Sequence, residues 1–119
     1  MVFVASYATI VGLAMIVVWA LSIGKKQVPE FATEPIRIGF HLAAEFTTAA
    51  TLLASGLALL ADTQWATEIA LVAMGMLLYT AIVSPGYFGQ KRQWPMVTVF
   101  ASLVVLALVS VGLLINEGP

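Results

Sequence analysis

The chain has no cysteine among its 119 residues and one histidine, and charged residues make up only 9% of it. Without cysteine there are no disulfides, thiolate metal sites, iron–sulfur clusters or thiol nucleophiles. An ordinary soluble domain carries about 25% charged residues. Lys and Arg number 5 against 6 acidic residues, and no basic patch suggests nucleic acid. No nucleophile motif, phosphate loop, HExxH or Ser-His-Asp set occurs, so enzymatic activity is not expected.

Hydrophobic residues fill the space that charge leaves, at 61% of the chain. A soluble protein of this length could not hide that much apolar surface. In lipid it needs no hiding, and helices satisfy their own backbone polar groups. Four apolar stretches of about twenty residues or more predict an all-α, four-transmembrane-helix up-down bundle, one integral membrane domain over residues 1–119. The N-terminal stretch has no basic n-region and exceeds an h-region in length, so it is expected to persist as a helix.

The spans are expected at about 2–23, 35–61, 65–84 and 95–116. Gly24 and two lysines stop the first, and Pro35 fits the first turn of the second, where its missing N–H costs nothing. Asp62 and Thr63 make a tight turn, with Thr63 the expected N-cap of the third span. Pro85 and Gly86 are expected to end that span, and Pro95 opens the fourth.

All five Lys and Arg residues fall in or beside the segments 24–34 and 85–94. The positive-inside rule then places both segments in the cytoplasm and both termini outside. Trp19 and Trp94 fall near the inner interface and Trp65 near the outer one, as aromatic belts require. Lys25-Lys26-Gln27-Val28-Pro29 parallels Lys91-Arg92-Gln93-Trp94-Pro95. That pattern fits either duplication of a helical hairpin or two ordinary basic loops, each followed by a helix-opening proline.

The second span holds the residues that could carry chemistry. Glu34, Arg37, His41 and Glu45 fall within roughly 80° of one face at 100° per residue, and Thr48 and Ser55 continue the stripe. Glu34 and Arg37 lie at the interface, where Arg37 can snorkel. Glu45 lies about one turn deeper than His41, and a charged, unpaired carboxylate there would cost about 3 kcal/mol. It must be protonated, paired or turned to a wet cavity. His41 and Glu45, at i and i+4, can pair. Tyr79 and Thr80, at a similar height in the third span, are the first expected partners.

These residues read as an ionisable relay or as a site for a proton, cation or polar ligand; a purely structural pair is the alternative. A metal ion would need a dimer to bring four ligands, and haem would need His41 from two copies, so neither cofactor is expected. Gly12, Gly56, Gly75 and Gly112 read as small residues that let helices approach.

Tyr87-Phe88-Gly89-Gln90-Lys91, ahead of Pro95, resembles the stretch before the last helix of the small multidrug resistance transporters. That resemblance implies a four-helix transporter. The family carries its essential glutamate in the first helix, and the first span here holds no charged residue, so no site carries over. Three functions remain: a proton- or cation-linked transporter or channel-like protein acting as a homo-oligomer, an accessory or scaffold subunit of a larger membrane complex, and a pH-responsive sensor anchor. Glu45, His41, Arg37, Thr48 and Tyr79 are the candidate site.

Overall fold

The structure, a computed structural model, describes residues 2–24, 30–90 and 92–117. Helices α1 (Val2–Gly24), α3 (Pro35–Leu60), α4 (Ala66–Gln90) and α5 (Trp94–Glu117) are long, and α2 (Glu30–Thr33) is a single turn. No strand occurs among the described residues. The four long helices are long and apolar enough to cross a membrane, with mean hydropathies of 2.2, 1.4, 1.8 and 2.7 in chain order. By length and composition this is an integral membrane protein. The molecule measures 47 × 24 × 20 Å, longer than the roughly 30 Å hydrocarbon core.

The expected spans are present with three corrections. Segment 24–34 is not all loop: α2 forms there, and Glu34 (φ −139°) turns the chain out of helix before Pro35, as a residue preceding proline prefers. Pro85 does not end the third span, because α4 runs through it to Gln90. One N–H is lost from the ladder there, and membrane helices tolerate such a proline where neighbouring groups serve the freed acceptor. Thr63 does not cap α4. Asp62 takes a left-handed conformation (φ 55°), Thr63 N–H bonds Ala58 O at 3.1 Å and Asp62 N–H bonds Leu59 O at 3.3 Å. That is the Schellman closure of α3. It commits Thr63 to α3, and its hydroxyl donates to Ala58 O as well. The proposed repeat rests on Lys25 to Pro29 and on Lys91, which lie outside the described residues.

Helix α3 packs against both α1 and α4, and α4 packs against α5; α1 and α5 touch only lightly. The buried positions of α3 explain its central place. Ile38, Leu42, Glu45, Ala49, Leu52 and Gly56 recur at steps of four and three, the seam by which one helix meets its neighbours. Two glycines set the approach of α1. A Cβ on Gly12 would lie 2.9 Å from Ala49 O, and one on Gly56 would lie 3.0 Å from Ala5 O and overlap the Thr9 hydroxyl. Gly75 and Gly112 have open space where a Cβ would stand, so the small-residue contact expected of all four exists at two. Tyr7, buried on α1, bridges to α5 by donating to Leu103 O at 2.7 Å.

The core is not spread evenly along the bundle. Val4, Tyr7, Val11, Leu52, Met74 and Leu114, with small residues between them, form the main cluster. All lie toward the end that carries Val2, the 61–65 turn and Glu117, here the terminal end. Toward the opposite end, which carries Gly24, α2 and Arg92, the buried apolar side chains among the described residues are fewer: Ile38 and Leu42, with Trp19 and Phe46 against them, and Ala81 of α4. The apolar core is thus larger toward the terminal end and thinner toward this basic end. Its outer surface is apolar, with residues such as Ile10, Val17, Val105 and Leu108 more than half exposed, as lipid contact permits.

Gly12→Ala and Gly56→Ala are expected to lower the thermal midpoint in detergent, by roughly 1–3 kcal/mol of stability each through overpacking. Gly75→Ala and Gly112→Ala should leave it unchanged or raise it, since Ala is the better helix former by about 1 kcal/mol. Thermal unfolding followed by circular dichroism checks all four.

Candidate functional site

The seam of α3 and its polar stripe cross at Glu45. Ile38 and Leu42 hold the seam below it, and Ala49 and Leu52 above. Glu45 therefore faces protein, with only 6% of its surface exposed. The larger part of the apolar core lies to one side of this level and the smaller to the other.

Its partner comes from the next helix. Thr80 Oγ1 on α4 donates to Glu45 Oε1. This breaks the habit of the other hydroxyls. Thr9, Thr47, Thr48, Thr51, Ser102 and Ser110 donate to the carbonyl four residues back in their own helix, the usual way to satisfy a hydroxyl in an apolar helix. Thr80 instead bridges two helices. Its oxygen also lies 3.2 Å from Ser84 Oγ, one turn nearer the basic end. A hydroxyl carries one proton, and Thr80 gives its proton to Glu45, so Ser84 is the donor in that second bond.

His41 approaches the same carboxylate from its own helix. Nε2 lies 3.6 Å from Glu45 Oε1, within ion-pair range and beyond a hydrogen bond. The imidazole is 42% exposed on its side chain while the Glu45 side chain is 7% exposed. Trp19 of α1 meets the imidazole edge-on, with ring centroids 5.6 Å apart and planes at 71°. His41 thus joins a buried carboxylate to the accessible basic end, with an indole holding its other side.

The remaining candidates lie elsewhere. Arg37 pairs with Glu34 at 2.8 Å, and both are exposed; no contact links it to His41 or Glu45. It lies roughly 80° round the helix from Glu45, toward the basic end. Thr48 is buried and bonds Ala44 O at 2.8 Å, one turn from the carboxylate and without a contact to it. Tyr79 is 73% exposed. Its neighbour Thr80 takes the position expected of it, because a step of one residue turns a side chain by 100°. With Thr47, Thr48, Phe40 and Gly75, Tyr79 lines an open groove of about 760 Å³ between α3 and α4. Ser84 was missed by the sequence reading. The available signal was its position four residues after Thr80 and immediately before an intrahelical proline. No three His, Asp or Glu residues converge as a metal centre among the described residues.

A charge at this depth costs about 3 kcal/mol, and a hydrogen bond to a charged group returns about 1.5–3 kcal/mol. The Thr80 bond and the nearby imidazole are therefore of the size needed to hold Glu45 inside. Its partners are one hydroxyl pair and one imidazole.

The model of the family described as Domain of unknown function (DUF8058) matches residues 1–118, and the chain belongs to that family. No curated protein and no solved structure matches the chain.

Thr80→Val keeps the shape and removes the donor, leaving a buried carboxylate short of a partner. It is expected to destabilise the bundle by about 1–3 kcal/mol, whereas the pair Glu45→Leu with Thr80→Val should cost less than the sum of the single changes. Thermal midpoints of the three variants and the native chain, in one detergent, measure this coupling.

Proposed function

We propose that this DUF8058 member is a small proton- or cation-linked transporter or channel-like protein. Glu45 is the carrier group, and His41 its partner on the accessible side. The observation that carries this reading is a nine-tenths-buried carboxylate, midway along a membrane-crossing helix, tied to a second helix by one hydroxyl. Ionisable groups at such depth mark ion and proton paths.

The distribution of charge supports both termini outside and the basic end in the cytoplasm. With four crossings the chain returns to the side where it began. The basic end, where the apolar core is thinner, is then the cytoplasmic one, and His41 and Ser84 lie toward it. The larger core of Leu52, Met74 and Leu77 separates Glu45 from the opposite side. A single bundle of this size encloses little cavity, so transport through it calls for a homo-oligomer that completes the path.

The groove between α3 and α4 favours a second reading, an accessory subunit of a larger membrane complex. Its lining of Ala43, Ala44, Thr47 and Gly75 leaves room for a helix. Molar mass in detergent separates the two. A transporter forms oligomers alone, and a subunit stays monomeric or aggregates.

In liposomes under a pH gradient, the native protein should carry a flux that Glu45→Gln reduces at least about tenfold, the scale of losing an essential proton-transfer group. Flux in neither protein would remove the transport reading. Equal flux in both would clear Glu45 of a part in it.

A further inference from the structure

We infer that Glu45, Thr80, Ser84 and the main-chain carbonyl of Ala81 form a binding site for a small monovalent cation of the sodium type. The inference names the ion for the site proposed above, and rests on that reading for its part in transport.

The donor set consists of oxygens alone: one carboxylate, two hydroxyls and one carbonyl. Such a set suits a hard cation and not a transition metal. Pro85 takes away the usual helical donor of that carbonyl. In an α-helix the Ala81 carbonyl points at the N–H of residue 85, and Pro85 has none. Interrupted membrane helices offer carbonyls to ions in this way. By helix geometry that oxygen emerges between the side chains of Ser84 and Pro85, on the turn that already carries Thr80. Thr80 Oγ1 and Ser84 Oγ are 3.2 Å apart. Oxygens that bind one hard cation at about 2.3–2.6 Å, at right angles, stand about 3.3–3.7 Å apart, so Thr80 and Ser84 need little movement, while Thr80 and Glu45, in hydrogen-bond contact without an ion, must draw apart to admit one.

Charge selects the class of ion. The one carboxylate of the cluster balances one positive charge, whereas all-protein sites for divalent ions gather more carboxylates than this. His41, at 3.6 Å from the same oxygen, is the rival cation. Imidazolium and a bound ion would compete for one negative charge.

The hydroxyl protons have somewhere to go. Without an ion, Ser84 donates to Thr80 and Thr80 to Glu45. With an ion, both can turn to the carbonyls four residues back, those of Met76 and Thr80, as Thr48 and Ser110 do in their helices. Access is graded as well: Glu45 is buried, while Thr80 and Ser84, nearer the basic end, are half-buried.

The test is radioactive sodium binding to the purified full chain in lipid nanodiscs, in choline buffer, with helicity checked by circular dichroism. The native protein should bind sodium saturably, with displacement by lithium and not by equal calcium. Thr80→Val and Ser84→Ala should each weaken binding about tenfold or more, the scale of one lost contact to a charge. Thr80→Ser should restore it, and Thr47→Val, whose hydroxyl serves its own helix, should leave it unchanged. Absence of saturable binding by the folded native chain would overturn the inference, as would calcium displacement, or full affinity in both Thr80→Val and Ser84→Ala. Proton flux that depends on Glu45 in sodium-free liposomes, with no sodium binding, would sink the cation site and leave the transport reading standing. Sodium binding without flux of any ion would do the reverse.

Discussion

A carboxylate inside a bilayer has to be given company, and the way Glu45 finds it organises this protein. Its position on the buried seam of α3 turns it from lipid. Thr80 meets it from α4 and His41 from one turn below. Each contact lies on a different structural link: the seam is set by sequence spacing, the Thr80 bond by the packing of α3 on α4, and the imidazole by local helix geometry. Removing Glu45 from protein surroundings would cost about as much as these contacts supply. The α3–α4 pairing and the polar site therefore support each other.

The uneven packing of the bundle gives that site its direction. Toward the terminal end, α1 and α3 approach closely at Gly12 and Gly56, Tyr7 ties α1 to α5, and Leu52, Met74 and Leu77 fill the interior. Toward the basic end the apolar interior among the described residues is smaller: Ile38 and Leu42 with Trp19 and Phe46, and Ala81. Glu45 sits where one regime gives way to the other. The few contacts between α1 and α5 make that pair the weakest seam around the bundle.

Much of this was legible in the sequence because the bilayer simplifies the problem. Span number and position follow from apolar runs, and α3 ends within one residue of expectation. The misreadings share a cause. Pro85 and Thr63 were read by rules for helices in water, where proline stops a helix and threonine caps the next one. In the structure the helix carries Pro85 within it, and the Schellman turn around Asp62 claims Thr63. Periodicity placed Arg37, His41 and Glu45 on one face, but which part of that face is buried depends on where neighbouring helices pack. That is a tertiary property, and it left Arg37 exposed beside Glu34. The choice of Thr80 over Tyr79 turns on one 100° step, which spacing within α4 alone cannot fix. Gly75 and Gly112 are compositionally like Gly12 and Gly56, and only the helix crossing tells them apart.

The central claim is that Glu45 faces α4 and not the acyl chains. Solid-state NMR of the carbon-13-labelled protein in lipid bilayers tests it directly through the side-chain carboxyl carbon of Glu45. The account predicts a through-space cross-peak to Cβ of Thr80, with no transfer from lipid methylene protons. A strong lipid cross-peak, with none to Thr80, would contradict it.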